Sequence, residues 1–174
     1  MTTHLSDHDH HHTPTDHPLQ DIWHNGTCYG CGPANPHGLQ IKSYWSETEN
    51  AALCTFQGQP YHNAGFDNVM YGGLVASLCD CHSIWAAIAV TYRHEGRDYG
   101  SAPSISYVTG NLNVSFRAPT PLDRAIVLKA HVQKVEGRKA LIHTVVLAGE
   151  TITAEAQVLA IRIPLDKALG ATMG

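Results

Sequence analysis

Charge is scarce in this sequence. Asp, Glu, Lys and Arg make up 15% of its 174 residues, against about a quarter in an average soluble protein. Such a chain presents uncharged polar groups to water or covers part of its surface in an oligomer. The charges present sum to −4 and form no basic cluster, which argues against nucleic acid as the main partner. No apolar run approaches about eighteen uninterrupted residues, so no membrane span is expected. The first residues lack the apolar centre of a secretory signal. Cysteine is also limited: five residues, an odd number in no disulfide-like framework, which fits free thiols in a reducing cytoplasm. What remains is 43% hydrophobic, enough for one domain with a real core.

Residues 1–24 are rich in His, Thr and Asp and begin MTTHLSDHDHHHTPTDHP. With so little apolar surface, this segment is expected to be a flexible, solvated arm. Its imidazoles are also capable of ligating divalent metals. The folded domain is expected over residues 25–165, followed by a tail at 166–174. The domain opens with Cys28-x-x-Cys31, flanked by His24 and His37. Two thiols and two imidazoles suit tetrahedral zinc. Against that, no second CxxC is present, and the His spacings fit no zinc module. A redox CxxC would need a βαβ setting, which is missing. The Gly and Pro content points to a structural turn, and no metal is expected.

Residues 39–47 and 50–57 read as two strands. A polar loop leads to Gly72-Gly73, where helix-compatible sequence begins. Leu74, Leu78, Cys81, Trp85 and Ile88 recur at steps of four and three, one apolar stripe at helical period. The pattern should fail by about Gly96. From Ser104 onward the period becomes two, as in Leu112, Val114 and Phe116, or Ile126, Leu128 and Ala130. Four strands in a meander follow, with a phase slip near Leu159 that a bulge or burial of both faces would explain. The fold class is therefore α+β: a long central helix wrapped by a roughly six-stranded antiparallel sheet.

One carboxylate, Asp80, stands inside the apolar helix. Burying a charge is costly, so this position calls for a function; the bland alternative is a buried acid satisfied by local hydrogen bonds. His82 and Trp85 read as packed helix residues.

The order of elements, with Tyr71-Gly72-Gly73 at the helix start and Leu78-Cys79-Asp80 seven residues past the second glycine, resembles the hotdog-fold acyl-CoA thioesterases of the phenylacetate-pathway (PaaI-like) type. The opening Cys28-Tyr-Gly-Cys-Gly-Pro-Ala-Asn-Pro-His-Gly-Leu39 resembles that of one branch of the family, and Val114-Ser-Phe-Arg-Ala-Pro119 resembles a family strand end. The resemblance covers roughly residues 25–163. It implies hydrolysis of an acyl-CoA with no cofactor, and Asp80 as general base or as nucleophile. The N–H groups of Gly72 or Gly73 would polarise the thioester carbonyl. The physics of a helix start agrees, since free N–H donors and a positive dipole end suit an oxyanion. Tyr71 stands where the family usually has His. Tyr71 itself, Asn63, Asn68 and Ser83 are candidates for polar substrate or water contacts. Arg117, Arg138 and Lys139 are candidates for the CoA phosphates, or ordinary strand-end charges.

Seven residues of helix separate Gly73 from Asp80 by roughly 10 Å, too far for one carbonyl to touch both. The resemblance resolves this with active sites shared at a dimer interface, so a homodimer or dimer of dimers is expected. Two other readings use the same fold: an acyl-CoA hydratase or dehydratase pairing Asp80 with His62 or His82, and a non-catalytic acyl-CoA-binding module. A zinc-stabilised binding protein using the Cys28/Cys31 loop is a third.

Overall fold

The computed structural model describes residues 16–164. Two short strands, β1 (Ser43–Ser46) and β2 (Ala51–Phe56), precede the helix α1 (Gly72–His94). Four long strands follow: β3 (Ser106–Phe116), β4 (Ile126–Glu136), β5 (Lys139–Ala148) and β6 (Thr151–Ile163). All pairings are antiparallel, in the order β1-β2-β4-β5-β6-β3. This is the helix and six-stranded sheet expected from the periodicities, with one correction. The last four strands are not a simple meander. Only β4-β5-β6 run in succession, while β3 lies at the far edge beside β6. Alternation reports which face a residue takes but not which strand it pairs with.

The inward face is set by register. Cys54 lies opposite Leu128, Leu128 opposite Val146, and Val146 opposite Ala154, and all four are fully or almost fully buried. Each fully buried Leu, Ile or Val here contributes about 1.5–3 kcal/mol. The helix meets this face over most of its circumference, beyond the single stripe read from sequence. Val75, Cys79, Ala86, Ala87 and Ala89 are buried along with Leu78 and Trp85. By length and composition the helix could cross a membrane, but 67% of its most apolar window is buried inside the fold, the situation of a core helix. The phase slip in β6 reflects burial of both faces: Ala160 is buried, while Leu159, Ile161 and Ile163 are half-buried. A bulge lies across the sheet at Gly110 of β3, between the pairs Thr109–Ala160 and Asn111–Leu159.

A buried polar chain fixes the middle of the helix. The His82 Nε2–H donates to the Ala52 carbonyl at 3.0 Å, so Nδ1 accepts from the Ser43 hydroxyl at 2.8 Å. Ser43 in turn accepts from the Gln20 amide and donates its own N–H to the Gln20 oxygen. Gln20 belongs to a 3-10 turn, Leu19–Trp23. That turn corrects the expected domain start at residue 25. Leu19 and Gln20 are fully buried, and the Tyr99 hydroxyl holds the Leu19 carbonyl at 2.6 Å. One leucine in a polar segment is a weak signal in sequence, and its burial depends on a slot that only the folded sheet provides. The rest of the expected arm, residues 1–15, and the expected tail lie outside the described residues.

The first two strands are shorter than expected. Leu39 and Ile41 direct their N–H groups to the carbonyls of Tyr29 and Gly30, and Gln40 has a left-handed backbone at φ 49°. Residues 39–42 thus tie the Cys28–Cys31 turn to the body instead of extending β1.

Candidate active site

Asp80 lies on the side of α1 that faces β3 and the Cys28–Cys31 turn. Its half-buried carboxylate accepts a hydrogen bond from the Thr109 hydroxyl. Thr109 precedes the Gly110 bulge, a device that redirects a strand and its side chains. The backbone comes close here: a Cβ on Gly110 would stand 2.7 Å from Ile161. Burial raises the carboxyl above the usual Asp range, the Thr109 donor opposes that rise, and negative charge at Cys28 adds to it. A carboxylate so placed has little competing hydration and is a stronger base or nucleophile.

A cavity of about 430 Å³ opens beside Asp80. Ile84, Trp85 and Ile88 supply its helix wall, Ile105 and Tyr107 the strand side, and Trp23 comes from the N-terminal turn. The rings of Trp23 and Trp85 lie 6.4 Å apart and tilted. Such an apolar space with one carboxylate suits an acyl chain better than a polar ligand. Trp85, read as a core residue, is both core and wall.

Three thiols share this wall. The sulfurs of Cys28, Cys31 and Cys81 all lie within 4.8 Å of one another, with Cys28 and Cys81 at 3.7 Å. Gly30 permits this approach, because a Cβ there would stand 2.3 Å from the Cys81 sulfur. Hydrogen bonding among the three thiols lowers the pKa of Cys28 and pushes those of Cys31 and Cys81 up. His24 and His37, the imidazoles expected beside the CxxC, are exposed and lie outside the cluster. Cys81 takes their place.

Gly72 and Gly73 form the first turn of α1, away from the cavity wall. The N–H groups of Leu74 and Val75 both return to the Tyr71 carbonyl, and the amides of the two glycines have no acceptor within the helix. Two exposed rings sit over this end. A Cβ on Gly73 would stand 2.4 Å from the Tyr71 ring, and one on Gly72 3.2 Å from Phe116. The donors and the carboxylate therefore occupy separate places on one chain.

The remaining candidates divide. Ser83 does not orient Asp80. Its hydroxyl is fully buried, donating to the Cys79 carbonyl at 2.6 Å and bonded to Thr144 at 2.7 Å; three residues along a helix turn a side chain by about 300°, which here leads it into the sheet. Asn63 and Asn68 build the loop before the helix. The Asn63 oxygen accepts from Gly65, and the Asn68 oxygen from Leu122 and Asp123. Both edge a separate, open hollow of about 700 Å³. Arg117 pairs with Glu155 at 2.8 Å on the surface, and Arg138 donates to the Arg162 carbonyl. His82 is fully buried in its polar chain, and His62 caps its own turn through Gln59; neither is bonded to Asp80 of the same chain. Thr109 and Cys81 were not legible as site residues. A glycine inside a strand pattern, Gly110, is the one local signal that marks Thr109.

A family model described as thioesterase superfamily matches residues 67–155, half of the chain. Among curated proteins, the chain is 27% identical over 129 residues to acyl-coenzyme A thioesterase THEM4 of Rattus norvegicus, covering 74% of this chain and 50% of that protein. The Bos taurus protein of the same name is 28% identical, with 74% and 47% covered. The chain thus spans about half the length of the curated relatives it matches. Among solved structures, a thioesterase superfamily protein from Shewanella loihica PV-4 superposes with a TM-score of 0.58 at 30% identity, covering 76% of this chain and 98% of that one. A phenylacetic acid degradation-related protein from Ralstonia eutropha JMP134 shares the fold at 17% identity and a TM-score of 0.58, with 74% and 89% covered. The matched segment begins just before the glycine pair and ends in β6, so it carries the helix, Asp80 and the strand of Thr109 together: the chain belongs to the thioesterase superfamily and has its hotdog fold.

Proposed function

We propose that this chain hydrolyses the thioester of an acyl-CoA, giving the free acid and CoA. The observation that carries the reading is Asp80: a half-buried carboxylate, held by Thr109, at the edge of an apolar cavity. The acyl group enters the cavity against Ile84, Trp85 and Ile88. Asp80 either takes a proton from water as it attacks the carbonyl or attacks the carbonyl itself to form a mixed anhydride, which water then hydrolyses to release the acid and restore the carboxylate. The carbonyl oxygen gathers negative charge, which the amides of Gly72 or Gly73 of a partner subunit stabilise. CoA leaves as its thiolate. Family membership and the names of the THEM4 relatives support the reaction class. The separation of the two half-sites on one chain supports a homodimer, or a dimer of dimers. No cofactor is needed for this route.

Release of CoA thiol from a panel of aliphatic and aromatic acyl-CoAs, compared between wild type and Asp80→Asn, tests the reading. Turnover on part of the panel that collapses in the variant is the expected result. Equal turnover in both proteins would sink the assignment of Asp80. Tight CoA binding without turnover on any thioester would favour a binding module.

A further inference from the structure

The three thiols supply no reacting group in thioester hydrolysis as argued above, yet their cluster is assembled from two distant parts of the chain. Cys28 and Cys31 come from one turn, and Cys81 from the middle of α1, 53 residues beyond Cys28. We propose that Cys28, Cys31 and Cys81 form a binding site for one thiophilic metal ion, of which Zn²⁺ is the type.

The spacing fits. Zinc–sulfur bonds of about 2.3 Å in a tetrahedral site place sulfurs about 3.8 Å apart. Cys28 and Cys81 stand at 3.7 Å, and all three sulfurs lie within 4.8 Å, so closure on an ion requires side-chain movement of about 1 Å. The turn is shaped for it. Gly32 N–H closes the turn on the Cys28 carbonyl at 2.8 Å. Gly30 and Gly32 have no room for a Cβ, meeting the Cys81 sulfur at 2.3 Å and the Cys28 backbone at 2.4 Å. Three soft thiolates select zinc or copper(I) over magnesium or calcium. All three cysteines line the cavity that Asp80 also lines, which leaves the fourth position to water or to a group within that space. The site does not depend on the proposed hydrolysis.

Cobalt(II) is the probe, because thiolate ligation gives charge-transfer bands that oxygen and nitrogen ligands lack. The full-length chain, reduced and stripped by chelation, is titrated with Co²⁺ without oxygen. Expected are thiolate-to-cobalt absorption and the intense visible bands of a tetrahedral centre, saturating at one ion per chain and abolished by added Zn²⁺. Cobalt on the His-rich N-terminal segment gives neither signal. Outer-shell partners alone are worth about 10–100-fold in affinity, so Cys81→Ser should weaken Co²⁺ binding by at least about tenfold, while Cys54→Ser leaves it unchanged. A second measurement needs no variant: Zn²⁺ should slow alkylation of Cys28, Cys31 and Cys81, mapped by mass spectrometry, and not that of Cys54 or Cys79. Absence of thiolate absorption in the wild type, an unchanged spectrum in a folded Cys81→Ser protein, or equal alkylation with and without Zn²⁺ would each overturn the site.

Discussion

Thr109 of β3 donates its hydroxyl to the carboxylate of Asp80 on α1, across 29 residues of sequence. This one contact joins the sheet's edge strand to the acid on the helix and gives Asp80 a fixed direction. The Gly110 bulge beside it shapes the strand at that point.

Asp80→Asn keeps the size of the side chain and removes its charge. We expect kcat on the best thioester to fall by about 10²–10⁴, with thermal unfolding little changed. Steady-state kinetics and a melt on the same sample check both halves of the statement.

Thr109→Val removes the donor that holds the Asp80 carboxyl down against burial and the charge at Cys28. The pKa then rises further, and less of the active carboxylate is present at a given pH. The acid limb of the kcat/KM profile should move to higher pH, with activity restored at the alkaline end. A uniform loss at every pH would assign Thr109 to packing alone.

The oxyanion donors can be tested by removing single N–H groups. Gly72 is the first helical residue, a position where proline is tolerated, and Tyr71 already has the extended backbone a following proline requires, φ −57° and ψ 126°. Of Gly72→Pro and Gly73→Pro, the one that deletes the donor should lose about 10²–10³ in kcat. Mixing that variant with Asp80→Asn should then regain activity if each site draws on two chains. Loss in neither proline variant, or a light-scattering mass of one chain in active enzyme, would contradict the shared site.

Ser83→Ala should leave kcat unchanged and destabilise the fold by about 1–3 kcal/mol, because Thr144 loses its buried hydrogen-bond partner. Urea unfolding and the turnover assay together decide between this packing role and a role at Asp80.

Stability should fall in acid through His82. Burial pushes its imidazole from 6.5 down to about 4, so the unfolded chain binds a proton that the folded chain refuses. The stabilisation is fully present above pH 6.5, declines as pH falls through the window to about 4, and is absent below it, a loss of about 3 kcal/mol. The pH dependence of the urea midpoint measures it, and His82→Asn should flatten that dependence over the same window.

The sequence by itself determined the layers of this protein. The switch from a period near 3.6 to a period of two separates Gly72–His94 from the strands that follow, because side-chain direction is a local property of each backbone form. It also singled out Asp80, since a charge within an apolar helix is anomalous wherever the chain folds, and the Gly72-Gly73 start. Only the tertiary structure decided which residues meet. β3 pairs with β6 and not with β4, Leu19 fills a slot in the core, and Ser83, three residues from Asp80, turns into the sheet. His24 and His37 stand beside the CxxC in sequence, yet Cys81 meets it in space. Periodicity assigns a face, but partners across a face depend on register and on where loops return. Those are set by the packing of the whole chain, and the contacts at Asp80 and at the three thiols are of that kind.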